Sequence, residues 1–290
     1  MASQPESETL RVPGSHEPHA PGEILTSFAR ERRYRRRPSR MKTIAYGLYT
    51  YLEFTTCLVG ILPAMAVSSV LHRGDPTQRH PGRWMRRIGK VSTSLTPLWH
   101  FTIEGEAPPD ILHKPYVVVA NHESTADPFL LSWLPWDMRW VAKEELFKPP
   151  LTGWAMKLSG DIPIRRGERD SVQIMLAECE RSLRAGIPIM MFPEGTRSKD
   201  GTLLPFKTGA FSLAIRAGVP VLPVAIAGTR RMRPKGSWWF GEARACAKIL
   251  KPISSEGLGE GDAQALADRA REAIAAELPD LRARYEDLRS

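Results

Sequence analysis

Residues 116–128 read YVVVANHESTADP, an apolar run from Tyr116 to Ala120 followed at once by a polar turn and an Asp127-Pro128 pair. A short, continuous β-branched run bounded by turn residues is the pattern of a buried strand. The eight residues after it therefore sit at a strand end, where open α/β sheets place their reactive groups. Outward from this stretch, FTIEG (101–105), MRWVA (138–142), IPIMMF (187–192), VLPVAIAG (221–228) and ARACAKIL (243–250) are further candidate strands. Helical patterns at 128–134, 150–158, 168–185 and 207–217 separate them, and this alternation predicts an α/β domain. In 168–185, Val172, Met175, Leu176, Cys179 and Leu183 form one apolar stripe ended by Gly186, which puts Cys179 in the core rather than in a nucleophile's position. A last amphipathic pattern covers 262–289, with a break expected at Pro279.

The bulk composition of the 290 residues, 42% hydrophobic and 25% charged, is that of a folded chain with a sizeable core. Three cysteines, Cys57, Cys179 and Cys246, are an odd number far apart and exclude a disulfide framework, which favours a reducing compartment. The net charge of +9 is unevenly placed: residues 30–42 carry eight Arg or Lys and one Glu, and 73–90 carry six and one Asp. The rest of the chain is close to neutral, unlike a basic nucleic-acid-binding domain.

Between the two basic flanks, residues 43–71 contain one charge, Glu53, and an uncharged run of eighteen residues begins at Phe54. That is membrane-like length. It starts too late for a secretory signal, and residues 1–29, rich in Pro, Glu, Ser and His, read as a disordered tail. A single crossing leaves its excess of Lys and Arg on one side, whereas both flanks here are basic, so a helical hairpin or an interfacial helix is favoured, with Pro63 as the break. The alternatives are one spanning helix or a buried core helix.

G-x-S-x-G and P-loop signatures are absent, and His122-Glu123 lacks the second histidine of a zinc protease helix. The glycines at 257, 259 and 261 lie in a Ser- and Glu-rich loop and read as a connection, not a dinucleotide site. His122 is the only histidine beyond residue 113. A spacing of five puts two side chains about 140° apart on a helix, so His122 and Asp127 can meet only across a turn. The plain reading is Asp127 as helix N-cap before Pro128, with an incidental histidine. The chemical reading is a dyad in which the carboxylate fixes the imidazole tautomer and supports its protonated form, while the other ring nitrogen takes a proton from a substrate hydroxyl. After IPIMMF, Phe192-Pro193-Glu194-Gly195-Thr196-Arg197-Ser198 offers close backbone approach, hydroxyls and a planar guanidinium, either an anion site or an ordinary polar turn. Arg165 and Arg166 follow the short run GDIPI and read equally as a solvated strand end.

Taken in order, NHESTADP, GDIPIRR, FPEGTRS and VPVLPVAI resemble the four blocks of the glycerolipid acyltransferase family, and VAKEELFKPPLTGWAMKLSG between the first two is similar to it as well. The resemblance covers roughly residues 95–240 and is nearest to bacterial 1-acylglycerol-3-phosphate acyltransferases. It implies a mixed β-sheet flanked by helices, a membrane-associated amino-terminal helical segment, and transfer of an acyl chain from a coenzyme A or acyl-carrier-protein thioester to the hydroxyl of a lysophospholipid, giving phosphatidic acid. By the same resemblance His122 is the general base, Asp127 its orienting partner, and Arg166, Glu194, Gly195, Thr196 and Arg197 the acceptor-phosphate site. The second block departs from the family pattern, with Pro163 where an aromatic is usual and Arg165 where an acidic residue is usual, which bears on the acceptor head group. No bound cofactor or metal is expected, and no nucleic-acid partner; the partners are membrane lipids, the acceptor and the acyl donor, at the cytoplasmic face of the cell membrane. The expected organisation is a basic tail (1–42), an anchoring segment (43–90), the acyltransferase domain (91–255) and a carboxyl-terminal helical segment (256–290). Acylation of another lysolipid or lipid-linked acceptor, and an inactive membrane scaffold, are the competing readings.

Overall fold

The computed structural model describes residues 40–75, 77–198, 200–233 and 236–286, so the tail expected over 1–29 lies outside them. Its proposed limit at 42 runs into the first helix, α1 (Arg40–Leu71). This helix passes through Pro63 without a break, contrary to expectation. Pro63 faces outward, while Cys57, Leu58 and Met65 on either side of it pack with Ile88 of α2 (Arg79–Leu95) and Ala155 of α4 (Thr152–Ser159). Packing on both sides of the proline holds the two halves in line despite the lost hydrogen bond. The chain reverses only after α1 has ended, and α2 returns alongside α1.

Seven strands form one mixed sheet in the order β1-β7-β6-β2-β5-β3-β4. They are β1 (Trp99–Glu104), β2 (Val117–Ala120), β3 (Arg139–Lys143), β4 (Ile162–Ile164), β5 (Ile189–Met191), β6 (Val221–Ala227) and β7 (Ala243–Ile249). All neighbouring pairs are parallel except β6 with β7. β2 is central, with Val118 opposite Met190 of β5 and Leu222 of β6. Its alternate side chains enter two cores: Val117 and Val119 join α5 (Arg169–Arg184), α6 (Gly209–Ala217) and α8 (Ala263–Tyr285), while Val118 and Ala120 join α3 (Asp127–Leu131), the short α7 (Thr229–Met232) and the Trp136–Trp140 strand approach. A strand buried on both faces has no polar side to alternate, which is why its sequence is continuous.

β4 is the strand the pattern did not separate, being three residues long with a proline in its centre. Pro163 is tolerated there because β4 is an edge strand paired only with β3. The break expected at Pro279 is also absent: α8 runs straight through it, with Pro279 exposed and Ile274, Leu278 and Leu281 buried on the side facing the sheet. Leu266, Ala267, Ala270 and these three belong to the main core, so α8 is packed as part of the α/β layer. All three cysteines are buried and unpaired, Cys179 within the core stripe.

Candidate active site

Because β2, β5 and β6 run parallel, their carboxyl ends open on one edge of the sheet, and the loops 121–127, 192–198 and 228–230 meet there. Asn121 fixes the first loop: its amide donates to the Ile226 carbonyl at 2.9 Å and its side-chain oxygen accepts the Ile226 N–H at 2.7 Å. The chain then turns, and His122 Nδ1 lies 2.7 Å from Asp127 Oδ2. Asp127 is the first residue of α3 and does not cap it as the plain reading has it; the carboxylate turns back into its own loop. There it accepts the N–H of Glu123 at 3.0 Å and of Ser124 at 3.1 Å, and the Thr229 hydroxyl donates to its other oxygen. Asp127 is completely buried, and four donors compensate the cost of holding a carboxylate out of water. A carboxylate only accepts, so Nδ1 carries the ring proton and Nε2 has its lone pair available. The imidazole stacks on Phe192, ring centroids 4.1 Å apart, and keeps a narrow opening to solvent.

Glu194 faces the same loop from β5. Its Oε1 accepts the His122 N–H at 2.6 Å and its Oε2 the Leu204 N–H at 3.0 Å. Burial raises its carboxyl, and the two backbone donors and His122 oppose that shift. Ser198 N–H donates to the His122 carbonyl at 3.1 Å, so the two loops are stitched at the histidine on both sides. Gly195 has φ +69°, a conformation that disfavours any side chain, and the Lys207 chain packs where its Cβ would stand. Thr196 is exposed and Arg197 half-buried; burial lowers the guanidinium's pKa, Arg233 lowers it further and Asp127 raises it. Arg166 is exposed at the same edge, but three strands from β2 at about 4.8 Å per strand, so roughly 14 Å away. The structure thus brings His122, Asp127 and Glu194 into direct contact, sets Gly195, Thr196 and Arg197 beside them, and leaves Arg166 apart. Arg165 is engaged in ion pairs with Glu144 at 3.4 Å and Glu168 at 2.9 Å.

Several residues around the site carry no signal in a linear reading. Thr229 lies 102 positions from Asp127 and Asn121 holds a carbonyl 105 positions away, contacts that exist only once β6 is placed beside β2. Lys207 belongs to the same group. Loop 236–241 divides its three aromatics: Phe240 is buried 5.5 Å from both Tyr51 and Trp99, Trp239 packs on Gly47 of α1, and Trp238 stays 74% exposed. Among the described residues no group of three or more His, Cys, Asp or Glu is arranged to hold a metal ion.

Residues 100–227 match the family described as Acyltransferase. The chain is 35% identical over 228 residues to the chloroplastic 1-acyl-sn-glycerol-3-phosphate acyltransferase BAT2 of Brassica napus, covering 76% of this chain and 64% of the relative. It is 36% identical over 163 residues to the human 1-acyl-sn-glycerol-3-phosphate acyltransferase alpha, covering 56% and 58%. The chain therefore spans between half and two thirds of these relatives' length. In three dimensions it resembles the crystal structure of the 1-acyl-sn-glycerophosphate (LPA) acyltransferase PlsC from Thermotoga maritima, with a TM-score of 0.70 at 27% identity, over 85% of this chain and 100% of that one.

Proposed function

We propose, from the match of residues 100–227 to the Acyltransferase family, that the chain acylates the free hydroxyl of 1-acylglycerol-3-phosphate, producing phosphatidic acid. The observation that carries the reading is the 2.7 Å contact of His122 Nδ1 with a fully buried, four-donor carboxylate at the open edge of the sheet. With Nδ1–H held by Asp127, Nε2 removes the proton of the acceptor hydroxyl as its oxygen attacks the thioester carbonyl. The tetrahedral intermediate collapses by breaking the C–S bond, and the departing thiolate takes the proton from the imidazolium. His122 is restored and the products are the new ester and a thiol, with no covalent enzyme intermediate. Asp127 stabilises the imidazolium in between, and stacking on Phe192 fixes the ring plane.

Gly195, Thr196 and Arg197 are suited to the acceptor phosphate, with Lys207 beside them at Gly195, while Arg166, three strands from β2, lies outside this immediate group. Glu194 is committed to two backbone N–H groups, so its part is to shape the loop. The names of the relatives and the structural likeness support this acceptor class. Coenzyme A and acyl-carrier-protein thioesters both supply the required acyl group.

Membrane attachment is assigned to α1. Met41–Leu71 is long and apolar enough to cross a membrane, and Leu48, Leu52, Val59, Val67 and Leu71 project from it into solvent. The exposed basic residues that follow it, Arg73, Arg83 and Arg87, then face anionic head groups at the cytoplasmic surface, whereas Arg86 is buried in the fold. One experiment tests the whole reading: purified full-length protein is given lysophosphatidic acid with each donor type, and the products are identified by mass spectrometry. Phosphatidic acid supports it; a different acylated lysolipid moves the acceptor, and no acylated product with any lysolipid refutes it.

A further inference from the structure

The end of α8 touches two loops of the site, 121–127 and 228–230, and the stretch 200–204 beyond the third. Arg282 Nη2 donates to Glu123 Oε1 at 3.1 Å and to the Gly201 carbonyl. Glu286 accepts the Gly228 N–H at 3.3 Å with one oxygen and Arg230 Nη2 at 3.1 Å with the other, while Arg230 donates in turn to the Asp200 carbonyl. Three turns earlier, Arg271 donates to the carbonyls of Leu203 at 2.9 Å and Leu204 at 3.2 Å. Leu204 is the residue whose N–H holds Glu194. Glu123 is buried, and its second carboxyl oxygen has no hydrogen-bond partner among the described residues. A buried carboxyl of this kind is held in the site's own turn for a reason other than solvation.

We propose that Arg282, supported by Arg271 and Glu286, is a positioning residue: it grips Glu123 from behind and so sets the His122–Asp127 geometry. The inference rests on the acyltransferase reading and lies outside the 100–227 match, since all three residues are on α8 or just beyond it. Glu123 directly follows His122, and its own N–H is one of the donors that seat Asp127. A displacement of the Glu123 backbone carries that N–H with it, and with the N–H the Asp127 carboxylate and the imidazole it holds. Burial and the neighbouring carboxylates of Glu286 and Asp127 push the Glu123 carboxyl up, and Arg282 is the group that opposes them. Arg282 thus supplies both the tether and the compensating charge, while the Gly201 carbonyl anchors the same guanidinium to the neighbouring loop.

The test uses the full chain in the acylation assay, with kcat per folded molecule, acceptor KM and thermal unfolding measured together. Arg282→Met should lower kcat about 10- to 100-fold while leaving the acceptor KM within about twofold, because a displacement near 1 Å at the reacting groups costs on that order. Arg282→Lys keeps the charge but cannot hold Glu123 and the Gly201 carbonyl with one planar fork, so kcat should fall by an intermediate factor, about 3- to 10-fold. In a Glu123→Gln background, Arg282→Met should add less than about threefold, because the contact it acts through is already altered. Wild-type kcat in folded Arg282→Lys, whether or not Arg282→Met folds, overturns the proposal, as does a loss that multiplies independently across the double variant. A wild-type protein without acyl transfer fails the function reading instead, so the two failures are distinct.

Discussion

Replacing Asp127 by Asn separates what the carboxylate does for the fold from what it does for the imidazole. The buried group accepts from His122 at 2.7 Å, Glu123 at 3.0 Å, Ser124 at 3.1 Å and Thr229. Asn retains one acceptor oxygen. Placed where Oδ2 stands, that oxygen keeps the first three donors, and the amide N–H₂ faces the Thr229 oxygen, which can accept by rotating its hydroxyl. The loss is therefore the charge-assisted part of these bonds rather than the bonds themselves, about 1–2 kcal/mol of stability. For a chain of this size that is a melting shift of about 2–8 °C. The effect on turnover should be far larger, about 10²- to 10⁴-fold in kcat, because the neutral amide no longer supports the imidazolium that forms as the hydroxyl proton leaves. Initial rates with lysophosphatidic acid and acyl-coenzyme A in detergent, paired with a melting curve on the same preparation, read both quantities. A variant that melts several degrees lower yet turns over within about threefold of wild type would show that Asp127 serves only the fold, and the proton-transfer scheme would fall with it.

Other outcomes follow from the same geometry. His122→Ala should abolish turnover while the fold persists, since the loop is also held by Asn121 and Glu194; far-ultraviolet circular dichroism alongside the assay checks both halves. Arg197→Ala should lower kcat/KM more for a phosphate-bearing acceptor than for a neutral one, and Arg197→Lys should recover only part of the loss; equal losses for the two acceptors would remove the phosphate role. Glu104 accepts from both Arg284 terminal nitrogens and from Tyr285, and the Arg284 bonds above all draw its pKa down to about 2. A depressed carboxyl contributes stability that is complete above its unfolded value, about 4.3, and is lost as pH falls toward 2. Urea midpoints of the wild type should therefore drop across that window relative to those of Glu104→Gln, and parallel curves would refute the tie between β1 and α8.

The alternation of strands and helices was legible because six of the seven strands announce themselves through local chemistry. β2 and β6 are continuous apolar runs, and the stripe from Val172 to Leu183 has helical spacing. The contact of His122 with Asp127 was legible as one of two readings, since a spacing of five lets the pair meet only across a turn. What sequence could not give was anything decided by distant packing. Pro63 and Pro279 look like breaks by local preference, and both helices continue because buried residues on either side of each proline are already pinned. Thr229, Phe192 and Arg282 reach the turn only through strand order and the docking of α8, for which no pattern within a window exists. β4, three residues with a central proline, is defined by its neighbour β3 rather than by its own composition.

Gly47 lies under the Trp239 indole, and any side chain there would overlap the ring. A glycine inside a helix is unfavourable by about 1 kcal/mol, so the helix gives up stability at that one level to admit the loop. The indole does not slide freely: with a rise of about 1.5 Å per residue, a seat one residue higher or lower meets the larger side chain of Tyr46 or Leu48. With α1 seated in the bilayer as proposed, this contact works as a depth gauge. It ties the height of loop 236–241, and of Arg233, whose guanidinium lies 5.3 Å over Phe240, to a fixed level on the anchor. The elevation of the reaction centre above the lipid surface is then a property of the fold, set by a missing methyl group, and a larger residue at position 47 would change how far a lipid must rise to react.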